Sequence, residues 1–435
     1  MANTSITKSV TKDSAVKKFT FSAWIKRSGL GGKRIFSAYQ LSSYWTSFYF
    51  SGNDQLELFS YINSSQQAFI QTTSKYKDVN GWYHIVLAVD TTQATASNRV
   101  KIYVNGEQQT ALNQNSYPTQ DSAMGQFNDT GATLYIGKDP NADFDGVMSH
   151  VHYTQGHTYA ASDFGSTDST TGEWKINTSP SVTYGTNGFF ILKDGNSVTD
   201  QSGNSNNFTV GSGTLTKTED CPSNVFATLN PLYNSGGTVT YSNGNNTFNE
   251  GDNQWKTTFS TLGASSGKYY AEFKCGGNYA MIGVADYNVT KSGTADRNFS
   301  STTIISEQGY GIYNGNGDLY YRGSSTSYAD TYGNGDIIGV ALDCDNNKVF
   351  FAKNGVWQNS ADPTSAGTGF SMTATNATYV FALAVQTNPT DANFGNGYFG
   401  TTAVSSAGTN ASNIGIFEYD VPTGYTALST KGLNE

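Results

Sequence analysis

His84-Ile85-Val86-Leu87-Ala88-Val89-Asp90, then a polar stretch, then Arg99-Val100-Lys101-Ile102-Tyr103-Val104-Asn105-Gly106-Glu107, is the passage on which the fold turns. An apolar run ends in Asp, a turn follows, and the second run alternates. Val100, Ile102 and Val104 fall on one face and Lys101 and Tyr103 on the other, the period of two that marks a half-buried strand. Asn-Gly ends the unit because both residues tolerate the positive φ of a tight hairpin turn. The pattern returns in the second half as Ile337-Ile338-Gly339-Val340-Ala341-Leu342-Asp343, a short polar break, and Lys348-Val349-Phe350-Phe351-Ala352-Lys353-Asn354-Gly355-Val356-Trp357. This duplication predicts an all-β chain of two tandem antiparallel β-sandwiches, each built around one such hairpin.

Working outward, residues 19–26 alternate as a strand, 29–32 turn it, and 35–39 return; 44–50 and 56–62 are further strands. Residues 162–175 read as a short helix or turn capped by Ser162-Asp163. Strands at 188–192 and 207–210 close a first domain over 1–212, and the polar, irregular stretch 213–244 reads as a linker. The second domain, 245–435, holds expected strands at 255–259, 267–274, 280–285, 309–313, 319–322 and 379–386, with a tail strand near 414–419. Helical periodicity is nearly absent.

Composition narrows the function. Charged residues make up only 14% and aromatics 14%, with 47 Gly against 8 Pro, which describes β-rich surfaces with long polar loops rather than disorder. The net charge of −9 disfavours nucleic acid, whose phosphates need clustered cations. The basic pairs Lys17-Lys18, Lys26-Arg27 and Lys33-Arg34 are discontinuous and read as a solvated sheet edge that resists strand addition. Three cysteines, Cys221, Cys275 and Cys344, make no disulfide framework. Residues 1–16 lack the apolar core of a secretory signal, and no run approaches the ~20 apolar residues of a membrane helix. Synthesis in a reducing cytoplasm, with no membrane span, is the expectation.

Phe19-Thr20-Phe21-Ser22-Ala23-Trp24, Gly81-Trp82-Tyr83-His84-Ile85-Val86, the run from Val100 to Gly106, and Phe144-Asp145-Gly146 resemble laminin-G-like modules of the concanavalin A-like superfamily. Gly267-Lys268-Tyr269-Tyr270-Ala271-Glu272, Ile282-Gly283-Val284-Ala285, Gly335-Asp336-Ile337-Ile338, Phe350-Phe351-Ala352-Lys353-Asn354-Gly355 and Ala392-Asn393-Phe394-Gly395 resemble a SPRY module, a sandwich of related topology. The order of the two modules and the Thr/Ser/Asn/Gly-rich composition are similar to virion proteins of tailed bacteriophages of the marine type. That resemblance implies a tail fibre, capsid fibre or knob, or a related appendage on the particle exterior. Other virion proteins and a homo-oligomer, guessed to be a trimer, are the partners it implies; a purely architectural capsid decoration is the alternative.

Hydrolases of the concanavalin A-like class set paired carboxylates on one strand face, in a Glu-x-Asp-x-x-Glu pattern, and the sequence has none, so no enzyme and no cofactor are expected. Asp139, Asn141, Asp143 and Asp145 alternate before Gly146 at a spacing that suits calcium, but the plainer reading is a turn. Asp343-Cys344-Asp345-Asn346-Asn347 reads as a hairpin turn in the same way. His150 and His152, two apart, would share a strand face and could grip a transition metal, though a sheet surface explains them as well. His84 sits in an apolar strand and reads as core. Sugar rings stack on Tyr and Trp while Asn and Asp bond hydroxyls. Tyr44, Trp45 and Tyr61 in the first domain, and Tyr313, Asn314, Asp318, Tyr320, Tyr321, Tyr328 and Tyr332 in the second, are therefore the expected contacts to a host-surface polysaccharide.

Overall fold

The computed structural model describes residues 4–11, 16–124, 127, 129–193, 197–233, 238–288, 298–299, 309–321, 323–373 and 377–434. The chain divides into two compact units, Met1–Lys217 and Thr218–Glu435. In each, two antiparallel sheets enclose one apolar core.

In the first unit the eight-stranded sheet runs, in spatial order, Leu112–Ser116, Ser65–Lys75, Gln55–Ile62, Tyr44–Phe50, Lys33–Leu41, Thr133–Ile136, Ser5–Ser9 and Thr209–Ser212. The six-stranded sheet runs Phe189–Ile191, Gly146–Gln155, Lys18–Arg27, Trp82–Asp90, Val100–Val104 and Glu107–Gln108. Aromatic rings join the two layers: Phe36 of the first sheet lies 4.7 Å from Phe21, 5.6 Å from Tyr153 and 6.2 Å from Phe189 of the second, centroid to centroid. In the second unit, strands Lys268–Lys274 and Ile337–Asp343 lie in a nine-stranded sheet, and Ala280–Asp286 and Tyr379–Val385 in a six-stranded one. Phe273 of the nine-stranded sheet and Phe381 of the six-stranded one approach to 6.3 Å across that core.

The duplicated hairpin has the same construction in both units. Asn105 and Gly106 hold φ of 49° and 85°, and Asn354 and Gly355 hold 49° and 80°, the left-handed pair that a two-residue turn demands. Each Asn also reaches back to the preceding strand. Asn105 Oδ1 accepts the His84 N–H at 2.8 Å, and Asn354 Oδ1 accepts the Ile337 N–H at 2.8 Å. At the far end, Lys18 lies in register with Asp90 and pairs with it at 3.1 Å; Lys268 does the same with Asp343 at 3.0 Å.

The structure refines the expected elements. Ser65–Lys75 is a strand that alternation did not reveal, because only its inward Ala68, Ile70 and Thr72 are buried while its other residues are mostly Gln, Ser and Thr. The short helix or turn expected over 162–175 is a single 3-10 turn, Ala161–Asp163, that begins at Ala160 rather than being capped by Ser162-Asp163, and the hairpin Gly165–Thr167/Trp174–Ile176 follows it. The expected linker is absorbed from Thr218 onward by the second unit: Phe226, Ala227 and Leu229 are buried, and Ala227 N–H donates to the Leu428 carbonyl at 2.9 Å. Residues 414–419 make one isolated bridge, Asn396 with Ile416, in place of a strand. Residue 322 of the strand expected at 319–322 lies outside the described residues; the strand observed is Asp318–Tyr321.

Long segments roof one outer face in each unit. In the first, Phe164, Tyr159 and Trp174 pack over Val86 and Tyr103 of the six-stranded sheet. In the second, Ile414, Phe417, Val421 and Tyr425 pack over Tyr270, Ala341 and Phe350 of the nine-stranded sheet. Glu272 fastens that second roof: it is buried and accepts the N–H groups of Glu418 and Tyr419 at 2.8 and 2.9 Å.

Candidate functional site

The outer face of the eight-stranded sheet carries an accessible aromatic surface. Strand alternation that sends Phe48, Leu58 and Ile70 into the core sends Trp45, Phe59, Tyr61 and Phe69 outward, and all four are half-buried. The register sets Trp45 opposite Tyr61, and Phe59 opposite Phe69. Trp45 stacks on Phe59 at 5.2 Å, Phe59 meets Phe69 edge-on at 5.3 Å, and Trp45 lies 6.4 Å from Tyr61. The rings thus form a row that crosses three adjacent strands.

A polar row lies one rung away on the same face. The Arg34 guanidinium sits 3.9 Å over the Tyr49 ring and pairs with Asp139. Tyr49 Oη donates to one oxygen of Glu57, and Gln71 Nε2 donates to the other at 2.6 Å. Burial raises the Glu57 carboxyl above its ordinary range, with the Gln71 hydrogen bond and the Arg34 charge opposing. Amide, phenol and carboxylate beside a strip of rings can bond the hydroxyls of a sugar chain while the rings take its apolar C–H faces. Tyr44 lies on the same strand as Trp45 but alternates to the opposite side, where its hydroxyl meets Asp129. The site therefore joins Trp45 and Tyr61, which were expected, to Phe59, Phe69, Tyr49, Glu57 and Gln71, which were not. Phe59 and Glu57 could have been found by stepping in twos from Tyr61.

The acidic stretch and one of the basic pairs, Lys33-Arg34, are partners of one another. Lys33 pairs with Asp145, Arg34 with Asp139, and Lys138 with Asp143 at 2.6 Å. The N–H groups of Asn141 and Ala142 donate to Asp139 at 2.7 and 2.9 Å, so the stretch is an Asx turn. The carboxylates are spent on cations and backbone. Among the described residues no three His, Cys, Asp or Glu side chains come together as a metal-holding group.

Nor is Lys26-Arg27 a solvated edge. Lys26 and Arg27 are buried in a central strand, and the Arg27 guanidinium is held by Asp54 at 3.0 Å, by the Tyr76 and Gly31 carbonyls, and over the Phe50 ring at 4.0 Å.

His84 and His152 are structural. His84 is buried between Trp24 and Trp174. Its Nδ1 accepts the Trp174 indole N–H at 3.0 Å, so the proton sits on Nε2 and is donated to Ser22 Oγ at 2.9 Å. Burial pushes its pKa down to about 3. A bulge between Ser149 and His152 breaks the strand pairing there, and His150 holds a φ of 49°. Buried His152 stacks on Phe190 at 3.9 Å.

In the second unit the expected residues separate. Tyr328 and Tyr332 are buried, and the Tyr332 hydroxyl lies within hydrogen-bond distance of the Ala280 and Ile312 carbonyls. Asn314 is buried, its Oδ1 accepting the Ala280 N–H at 3.0 Å and its Nδ2 donating to the Gly277 carbonyl at 3.1 Å. Asp318 accepts from Asn316 Nδ2 at 2.8 Å within its own turn. Tyr321 packs inward on Phe370 at 4.8 Å. Tyr313 and Tyr320 alone come together at the surface, 6.2 Å apart.

Comparison with known proteins agrees with this anatomy. Residues 2–156 match the laminin-G family described as the concanavalin A-like lectin/glucanases superfamily, and residues 268–396 match the SPRY domain. No curated protein matches the chain. Among solved structures, similar chains include a native heptameric SAP-like pentraxin from Limulus polyphemus, with 20% identity, 36% of this chain and 71% of that one covered, and a TM-score of 0.27. The SPRY domain of human HERC1 has 18% identity, covers 38% of this chain and 96% of that one, and has a TM-score of 0.29. Domain 4 of AbnA, a GH43 extracellular arabinanase from Geobacillus stearothermophilus in complex with arabinotriose, has 19% identity, 34% and 66% coverage, and a TM-score of 0.26. The chain carries a concanavalin A-like laminin-G domain followed by a SPRY domain, in tandem.

Proposed function

We propose that this chain is a non-catalytic glycan-binding protein displayed on the exterior of a tailed-bacteriophage particle, where it adheres to host-surface polysaccharide. The row Trp45, Phe59, Tyr61 and Phe69, flanked by Tyr49, Glu57 and Gln71 on a sheet face, is the observation that carries the reading. Such a face suits a weak, extended contact with several sugar rings. Many copies on one particle, or a homo-oligomer such as a trimer, turn weak sites into firm attachment through avidity. Both matched families are typically binding modules, which supports binding over turnover. The buried carboxylates fit that view as well: Glu57 is engaged by Tyr49 and Gln71, and Glu272 by the amides of the second roof. The virion setting rests on the module order and the composition.

The test is retention of purified protein on immobilised host polysaccharide, together with an assay for released sugar. Retention without release supports the reading. Turnover of the polysaccharide, or no retention even after the protein is multimerised, refutes it. Imaging of intact particles then tests the location: density for this chain on the exterior is the expected result.

A further inference from the structure

We propose that the second unit carries a carbohydrate site of its own, for a neutral oligosaccharide, at the aromatic corner formed by Trp255, Tyr279, Tyr313 and Tyr320. The proposal does not depend on the site in the first unit. Trp255 directly precedes the strand Lys256–Phe259, Tyr279 directly precedes Ala280–Asp286, and Tyr313 ends Gly309–Tyr313. Register brings these three to one end of the six-stranded sheet: Lys256 and Ala280 both pair with Val385, and Met281 pairs with Tyr313. Tyr320 joins them from the next strand. Trp255 lies 6.4 Å from Tyr279 and 6.0 Å from Tyr313, both edge-on, and Tyr313 lies 6.2 Å from Tyr320.

Beneath them lie the buried side chains of Met281, Ala382 and Ala384, so Trp255, Tyr313 and Tyr320 are seated on a firm floor and remain half-exposed. Tyr279 is 45% exposed and holds a φ of 61°, a backbone state that bulky side chains rarely adopt. Strain of this kind persists where surrounding structure imposes it and gathers at binding sites. Charge indicates the occupant. Asp252 and Lys256, beside Trp255, pair with each other at 3.0 Å, and Asp318, two residues before Tyr320 on the same strand, adds a carboxylate held by Asn316 Nδ2 at 2.8 Å, so the corner disfavours a phosphate, a uronate or an acidic peptide. Amides border it instead, with Gln386 Nε2 donating to the Asn253 carbonyl at 3.2 Å. Rings for C–H faces, with amides and the Asp318 carboxylate for hydroxyls, are what a neutral sugar requires.

Full-length protein labelled with 5-fluorotryptophan gives six fluorine signals, one per Trp, assignable by single Trp→Phe changes. Cellohexaose, maltohexaose and mannohexaose are titrated separately. At least one should move the Trp255 signal saturably, and Tyr279→Gly, which suits the positive φ, should weaken that titration at least fivefold while leaving any Trp45 titration alone. The proposal is overturned by a Trp255 signal that all three sugars leave in place. It is also overturned by an unchanged midpoint in both Tyr279→Gly and Tyr320→Ala, or by a signal that follows protein concentration instead of sugar, which marks self-association. Movement of Trp45 alone sinks this site and spares the first; movement of Trp255 alone supports this site and leaves the first to its own test.

Discussion

The two units share a frame and differ in how they cover it. Both close their central hairpin with Asn-Gly, return the Asn side chain to the strand behind, and pin the Asp end with a Lys from the neighbouring strand. Their outer faces part company. The first unit covers its six-stranded sheet with residues about 160–182, which lie just after the strand Gly146–Gln155. The second covers its nine-stranded sheet with residues 414–425, which lie far along the chain from Lys268–Lys274 and are held by a buried carboxylate. The buried charges differ too. Arg27 has Asp54 as counter-ion, whereas Glu272 is surrounded by backbone N–H groups, the Tyr270 hydroxyl and the Asn393 amide. A repeated hairpin therefore sets the sandwich, and what is laid over it decides which face meets other molecules.

The sharpest way to break this comparison is to remove the buried charges. Arg27→Met should cost the first unit about 3–5 kcal/mol, because it strands Asp54 and two carbonyls. Glu272→Ala should cost the second about 3 kcal/mol by orphaning two amides. Denaturant titration measures both, and a loss below 1 kcal/mol in either would show that the charge is dispensable.

Next come opposite pH slopes. His84 is held neutral in the fold, with its pKa pushed down to about 3, so the first unit binds fewer protons folded than unfolded and loses stability as pH falls below about 6.5. Burial pushes Glu272 up to about 7, against the hydrogen bonds from Glu418, Tyr419, Tyr270 and Asn393. The second unit then binds more protons folded, and loses stability as pH rises from about 4.5 to about 7. Segment-resolved hydrogen exchange at pH 5 and pH 6.5 should show the two units moving in opposite directions; parallel movement would break the contrast.

Smaller effects sharpen the picture. Trp45→Ala should weaken polysaccharide retention about tenfold, the scale of one lost aromatic contact, with little loss of stability because the ring is half-exposed. Asn105→Ala should cost about 1 kcal/mol in denaturant titration, and Asn354→Ala more, since Asn354 loses the same back-bond and also its Nδ2 bond to Asp336 at 2.7 Å.

Much of the frame could be read directly from the residues. Period-two runs and Asn-Gly turns located the central strands, since those features are local. Features set by distant partners were hidden. Ser65–Lys75 shows few apolar residues because its outward side is mostly polar. Phe226 and Leu229 looked isolated in a polar stretch, yet the second core takes them in. Basic and acidic runs about a hundred residues apart gave no sign that they neutralise one another. At the site, Trp45 and Tyr61 were legible as aromatics near turns. Tyr328 and Tyr332 share that signature and are buried, because composition does not tell which side of a strand or loop faces the core.

Hydroxyl-radical footprinting of the protein bound to host polysaccharide tests the central claim most directly. Oxidation of Trp45, Phe59, Tyr61 and Phe69 should fall on binding, while Trp174, packed over the other sheet, should oxidise as before. Unchanged oxidation of those four rings in a saturated complex would contradict the account.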